Sequence, residues 1–246
     1  MDMPKMFKPQ IAESDVVVLP ASLPVPGFGI LPVNAFLIRA AEPVLIDTGL
    51  QALRNDFLAG LREVIDPLAI RWIWLTHIDP DHIGNLIPVL EAAPQARVVT
   101  TFLGMAKLAL HGLPVERSFL LNPGQRLDLG DRQLQAEVPP IFDAPETTGA
   151  FDTKTRALFS ADCCGALMAE PVERADDLPP DALLEGMMMW ATVDAPWLQV
   201  VDPKRFEERL GAMQRLQATT LFSSHLPPAP GMADALLGNL SAVPGA

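Results

Sequence analysis

Within the stretch LTHIDPDHIGN, Leu75 to Asn85, two histidines and two aspartates fall inside six consecutive positions: His77, Asp79, Asp81 and His82. The whole chain holds 4 histidines, so half of them sit in this one loop. Imidazole and carboxylate at that density suit two roles. Asp79 or Asp81 can cap a following helix by accepting from its free backbone N–H groups. Alternatively, the four side chains form one rim of a metal site, and the other ligands must come from far along the chain.

Distant polar residues stand at places that fit the second role. His77 closes the apolar run IWLT, Asp162 closes ALFSA and His225 closes LFSS. Strand ends along one edge of a sheet are where α/β proteins gather reactive groups, so three such loops can converge. Other polar residues read more plainly. Asp47, in the run PVLIDTG, is placed to orient a ligand loop by hydrogen bonds. His111 ends a helical pattern and complements its C-terminal dipole. Cys163 and Cys164 are adjacent, and adjacent cysteines read as packing rather than as a redox pair. Met187–Met189 reads as helix packing or pocket wall.

The elements that must position these groups alternate along the chain. Asp15–Pro20, Asn34–Ala40 and Glu42–Gly49 read as strands rich in Val, Ile, Leu and Phe. Leu53, Phe57, Leu61 and Ile65 then fall on one helical face. RWIWLTH is a strand ending on His77, and a helix is predicted from near His82 to about Ala93. A strand ARVVTT, a helix FLGMAKLAL, a meander of short strands over PGQRLDLGDRQLQAEVP and a hairpin around Asp152–Thr155 follow. Helices are predicted near Pro180–Met189 and Lys204–Leu216, then a strand ATTLFSSH; Glu170–Leu183 reads as a surface excursion. That order predicts an α/β fold, sheet packed on sheet with helices outside, as one domain over 1–246.

Composition narrows the partners. A formal charge of -12 argues against nucleic acid and anionic membrane. No apolar run reaches the ~20 residues of a membrane span, and the N-terminus lacks the features of a signal peptide, so a cytoplasmic protein is expected. Tyrosine is absent, which removes phenol chemistry, and 25 prolines predict many rigid loops.

The blocks PVLIDTG, THIDPDHIGN, FDAPETTGAFDTKTRALFSADCCG and LFSSH, in that order, resemble the metallo-β-lactamase superfamily, whose signature loop is H-x-H-x-D-H. The resemblance implies an αββα sandwich with a two-metal site on one edge. It also implies a ligand set: His77, Asp79, Asp81 and His82 from the signature loop, Asp162 as the bridging carboxylate, and His225 as the last histidine. The place before APETT, a histidine in most relatives, is Asp143 here. Asp79 likewise stands at a usual histidine position, and an acid there is similar to the diiron branch, the flavodiiron and oxygen-binding diiron proteins.

Those seven residues comprise 3 histidines and 4 aspartates, an oxygen-rich set that favours iron, with zinc and manganese still compatible. Two classes of activity follow from the resemblance. One is a non-haem diiron protein binding or reducing O₂ or NO. The flavodiiron relatives carry a fused flavodoxin domain, for which this chain has no residues left, so electrons are expected from a separate partner. The other is a binuclear hydrolase of an ester, lactone, thioester or phosphoester, in which a bridging hydroxide attacks. A degenerate site with one metal or none is the third reading, and Asp143 is its evidence.

Overall fold

Strands buried on both faces determine the layering. In Val44–Ile46, Val44 and Ile46 face an interior between two sheets while Leu45 faces a helical layer, and all three are 0% exposed. The same period of two recurs in Ala157–Phe159 and Thr220–Phe222, where Phe159 and Phe222 enter the inter-sheet core and Leu158 and Leu221 enter the other helical layer. Phe36, Phe159 and Phe222 meet there with ring centroids 5.0–5.5 Å apart. The result is an αββα sandwich, described for residues 3–243 by a computed structural model.

The first sheet uses β1 (Lys5–Met6), β2 (Gln10–Glu13), β3 (Val16–Val25), β4 (Gly29–Ile38), β5 (Val44–Ile46), β6 (Trp72–Trp74), β7 (Arg97–Thr100) and β8 (Ser118–Leu120). Its order is β1-β3-β4-β5-β6-β7-β8, with β2 also on β3. Outside it pack α1 (Arg54–Val64), α3 (Leu86–Ala92) and α4 (Phe102–Leu110), after the single-turn α2 (Pro80–Ile83). The second sheet uses β9 (Arg126–Asp128), β10 (Gln133–Glu137), β11 (Gly149–Asp152), β12 (Ala157–Phe159), β13 (Thr220–Phe222) and β14 (Ala229–Pro230), in the order β14-β13-β12-β11-β10-β9. It is covered by α5 (Pro180–Asp194), α6 (Pro203–Gln214) and α7 (Ala233–Asn239).

Parallel pairing decides where the site lies. β5 runs parallel to β6, and β12 parallel to β13. Their C-terminal ends therefore open on one edge of the sandwich, carrying Asp47, His77, Asp162 and His225 with them.

Three elements differ from the sequence expectation. The strand expected to stop at Pro20 continues to Val25 and pairs along its whole length with β4. Pro20 is tolerated because β2 covers Val16–Val18 and β1 covers Ala21–Ser22, so the missing N–H faces the gap between two partner strands. The helix expected from His82 to Ala93 is broken into α2 and α3 at Gly84–Asn85. Asn85 Nδ2 donates to the Thr48 and Leu50 carbonyls at 2.7 and 3.0 Å, which ties the break to the end of β5. The helix expected to end at Met189 runs on to Asp194. Among the described residues, no helix is long and apolar enough to cross a membrane.

Candidate metal centre

All seven residues singled out in the sequence come together on the sheet edge. Asp162 lies at their middle. Its Oδ1 is 3.2 Å from His82 Nε2 and 3.3 Å from His225 Nε2, while its Oδ2 is 3.4 Å from His77 Nε2. Asp81 Oδ2 adds to the first group, 3.5 Å from both His82 Nε2 and His225 Nε2. Asp79 and Asp143 add to the second: one ligand atom from each lies within 4.8 Å of the other and of one from His77. The carboxylate of Asp162 thus divides the residues into two clusters, one oxygen atom to each.

The backbone that delivers Asp162 is held against its own preference. Ala161 sits at φ 54°, a left-handed conformation that costs a residue with a Cβ about 1–2 kcal/mol. Ser224 N and Ser223 Oγ both donate to the Ala161 carbonyl, at 2.8 and 3.0 Å, so the His225 loop fixes the Asp162 loop. Asp47, at φ 59°, is fixed in the same way by its side chain. It accepts from Thr76 N at 2.8 Å and from Thr76 Oγ1 at 2.7 Å.

Each imidazole is oriented through Nδ1. His82 Nδ1 lies 2.8 Å from Asp47 Oδ2, and His225 Nδ1 lies 2.7 Å from the Pro32 carbonyl. His77 Nδ1 lies 3.2 Å from Thr76 Oγ1, whose own proton goes to Asp47. With a proton on every Nδ1, the three Nε2 lone pairs are left pointing inward. This is how metal-ligating histidines are held.

Electrostatics show what the crowding costs without an ion. Burial pushes the Asp162 carboxyl up, but the imidazoles of His77, His82 and His225 outweigh it and hold the group well below the usual carboxylate range. Burial depresses His82, and Asp81, Asp162 and Asp47 more than reverse it. His225 is likewise carried to about 9, with Asp162 overcoming burial. His77 is lowered by burial and by the charge of His82. Asp79 and Asp143 are both raised, chiefly by burial. His82 Nε2 and Asp162 Oδ1 are buried without a hydrogen-bond partner despite their short separation. Polar atoms that crowd together without bonding to one another fit a pair of cations between them, and the donor chemistry of imidazole and carboxylate suits first-row metals.

One carboxylate in the cluster escaped the sequence reading. Asp194, the last residue of α5, brings an oxygen within 4.8 Å of ligand atoms of Asp143 and Asp162. Burial, then the charges of Asp162 and Asp143, raise its carboxyl to about 7. Ending α5 five residues early hid it. Of the other residues weighed, His111 is exposed at the end of α4, outside the cluster. Cys163 and Cys164 are buried free thiols, 3.9 Å apart, in the core beneath α5. Met187 belongs to that core, while Met189 is 40% exposed at a groove shared with Phe28. Trp190 packs on His225 with centroids 4.9 Å apart and lies directly over Gly165, where a Cβ would come 2.6 Å from its ring.

Comparison with known proteins agrees with this geometry. The model of the family described as "ODP family beta lactamase" matches residues 31–190, well over half of the chain, and the chain belongs to that family. It is 34% identical over 145 residues to the type A flavoprotein fprA of Rhodobacter capsulatus, covering 54% of this chain and 32% of the relative. The chain spans about a quarter to a third of the length of the curated relatives it matches. Rubredoxin oxygen:oxidoreductase from Desulfovibrio gigas superposes with a TM-score of 0.79 at 20% identity, over 96% of this chain and 61% of that one. A fragment, residues 1–254, of putative diflavin flavoprotein A 5 from Nostoc sp. PCC 7120 superposes with a TM-score of 0.78 at 19% identity, over 98% of this chain and 96% of that one. These likenesses establish the metallo-β-lactamase fold of the flavodiiron branch.

Proposed function

We propose that this chain is a non-haem diiron protein that binds or reduces O₂ or NO, with electrons delivered by a separate protein. The carrying observation is the division of labour at Asp162. Its Oδ1 faces His82 and His225, which Asp81 joins, and its Oδ2 faces His77, which Asp79 and Asp143 join. Asp162 would then be the residue that two metal ions share. Four aspartates against three imidazoles favour iron, and the kinship with flavodiiron proteins supports the same ion. The printed name of the Desulfovibrio structure, an oxygen:oxidoreductase acting with rubredoxin, supports a diatomic substrate and an external donor.

When bound, iron supplies one-electron redox changes that carboxylates and imidazoles lack. The chain's own groups do the rest. Asp47, Thr76 and the Pro32 carbonyl keep the protons of the imidazoles on Nδ1, so the Nε2 atoms stay available. Asp79 and Asp143 sit at the solvent side of the cluster, and burial raises both carboxyls in the metal-free chain. Trp190 covers His225 and limits water on the inner side.

Metal analysis of protein purified without chelator tests this reading, together with absorption spectra before and after anaerobic reduction and O₂ readmission. Two irons per chain, with near-ultraviolet bands that bleach and return, are expected. Two zincs, a featureless spectrum and turnover of lactone or ester substrates would replace it with hydrolysis.

A further inference from the structure

We propose that Asp194 is a ligand of the centre, the carboxylate that completes its His77 half. This rests on the reading of the seven residues above as holders of two metal ions. Four observations carry it.

Position comes first. Asp194 ends the fifteen-residue helix α5, where the backbone carbonyls present the negative end of the helix dipole. An anion is disfavoured there, and α5 has no basic residue in its last turn. Some other positive charge has to stabilise it. Second, no lysine or arginine supplies that charge. Among the described residues no lysine or arginine pairs with Asp79, Asp81, Asp143, Asp162 or Asp194, and the ion pairs in the cluster all involve histidine.

Third, Asp194 Oδ2 is fully buried with no hydrogen-bond partner. The Asp162 carboxylate shared by both halves is only 4% exposed, and its Oδ1, on the His82 side, is unpartnered too. Oxygens of Asp143, Asp162 and Asp194 lie within 4.8 Å of one another, a spacing that a shared cation explains and repulsion alone opposes.

Fourth, the two halves of the centre, with four donors each, differ in the kind of donor. One half has two imidazoles, His82 and His225, together with Asp81 and Asp162 Oδ1. The other has a single imidazole, His77, with Asp79, Asp143 and Asp162 Oδ2. Asp143 reaches that half from the rim, with its side chain 23% exposed. Asp194 approaches the Asp143–Asp162 side and supplies a further donor from the protein interior. Its half is then built almost wholly of oxygen, and it takes a harder ion than its neighbour. With Asp194 ionised, the centre carries five carboxylates, one more negative charge than two divalent ions neutralise. That surplus charge and the oxygen-rich donor set favour a trivalent ion, such as ferric iron, in the His77 half.

The test is the isosteric variant Asp194→Asn, loaded with ⁵⁷Fe(II) beside the wild-type chain. Iron per chain is measured against increasing chelator, and Mössbauer spectra are recorded. In the wild type, two irons with unequal quadrupole doublets are expected. In Asp194→Asn, one of the two should leave at a chelator concentration at least tenfold lower, with its doublet altered and the other unchanged. Asp194→Glu, which keeps the carboxylate, should hold both. Two irons in Asp194→Asn with wild-type competition curves and spectra overturn the proposal. So does loss of iron only in step with loss of far-ultraviolet circular dichroism. A wild-type chain that binds no pair of metals overturns the two-metal reading itself, and that result is visible before any variant is made.

Discussion

The Asp47 carboxylate grips His82 from behind: Oδ2 lies 2.8 Å from Nδ1, while the opposite nitrogen faces Asp162 Oδ1 at 3.2 Å. Asp47 is 0% exposed and already accepts both the N–H and the hydroxyl of Thr76. It therefore fixes the tautomer of His82 and the path of the residue before His77 at once. Asp47→Asn places an amide where two donors converge, so one of them loses its acceptor. Metal affinity is expected to fall about 10–100-fold, as for other groups that orient a ligand histidine. Chelator competition checks this, and unchanged affinity would mean that His82 needs no orientation from Asp47.

Asp162→Ala removes the group that both clusters share. Loss of both metals is expected, because neither cluster keeps its contact with the other. Retention of one metal would show that the clusters bind independently. His111→Ala is the matched control, since His111 is exposed and outside the cluster. Its metal content should equal that of the wild type.

How much of this was legible in the sequence follows from what each signal depends on. His77, Asp162 and His225 were readable because each follows a short apolar run, and parallel pairing of those runs brings their ends to one edge. The αββα layering was readable from the alternation of the same runs. The β3–β4 hairpin was not, because Pro20, Pro24 and Pro32 break a strand pattern on paper, and only the arrangement of β1 and β2 shows that the missing Pro20 donor is not needed. Asp194 was not readable either. Nothing local distinguishes an acid at a helix end, and its role depends on how far α5 extends toward Asp143.

Gly84 separates α2 from α3 at the point where the signature loop meets the end of β5. A Cβ built there would lie 2.3 Å from Gln51 N and 2.4 Å from the Gly49 carbonyl oxygen, both backbone atoms that cannot swing aside. Thr48 N also donates to the His82 carbonyl at 2.7 Å, so a forced separation pulls on the ligand loop. Gly84→Ala is expected to lose about 1–3 kcal/mol of stability, the usual cost of overpacking, and to weaken metal binding with it. Urea unfolding with and without metal checks both. A stable variant with normal metal content would mean that the two segments can part freely.

The metal-free chain should become less stable as pH rises from 5 to 9. His225 is carried up to about 9 in the folded state from an ordinary 6.5, with Asp162 overcoming burial. Its contribution is complete below the unfolded value and is lost as pH climbs through 9. Burial pushes Asp194 up to about 7 from an ordinary 3.8, so the folded state holds the extra proton between those values and loses stability across that window as pH rises. Asp162 and His77 act in the opposite sense, Asp162 only in acid, where its depressed carboxyl is finally protonated, and His77 below its ordinary 6.5, where its depressed imidazole resists the proton. Urea midpoints in excess chelator at pH 5, 7 and 9 should fall in that order. Asp194→Asn should flatten the step between 5 and 7, and a midpoint that rises over this range would contradict the buried charge balance. Bound metal should reduce the slope, because it displaces the protons that cause it.

Far from the centre, Arg132 joins the two sheets at the opposite edge. Its guanidinium reaches Asp15 before β3 at 2.5 Å, Asp131 at 3.0 Å and Asp152 at the end of β11 at 3.0 Å. The Arg132 and Asp152 side chains are 2% and 0% exposed, so this is a buried charge network. Arg132→Met keeps much of the apolar stem but leaves Asp152 buried without a counter-charge. Removing one partner of such a network costs about 3–5 kcal/mol. The strand ends that carry His77, Asp162 and His225 lie across the sandwich from Arg132. The variant is therefore expected to unfold at a much lower urea concentration yet bind metal with the wild-type stoichiometry at low temperature. Loss of metal from a chain still folded by circular dichroism would show that the two edges are coupled through the inter-sheet phenylalanines, which the packing of Phe36 between Phe159 and Phe222 would then have to transmit.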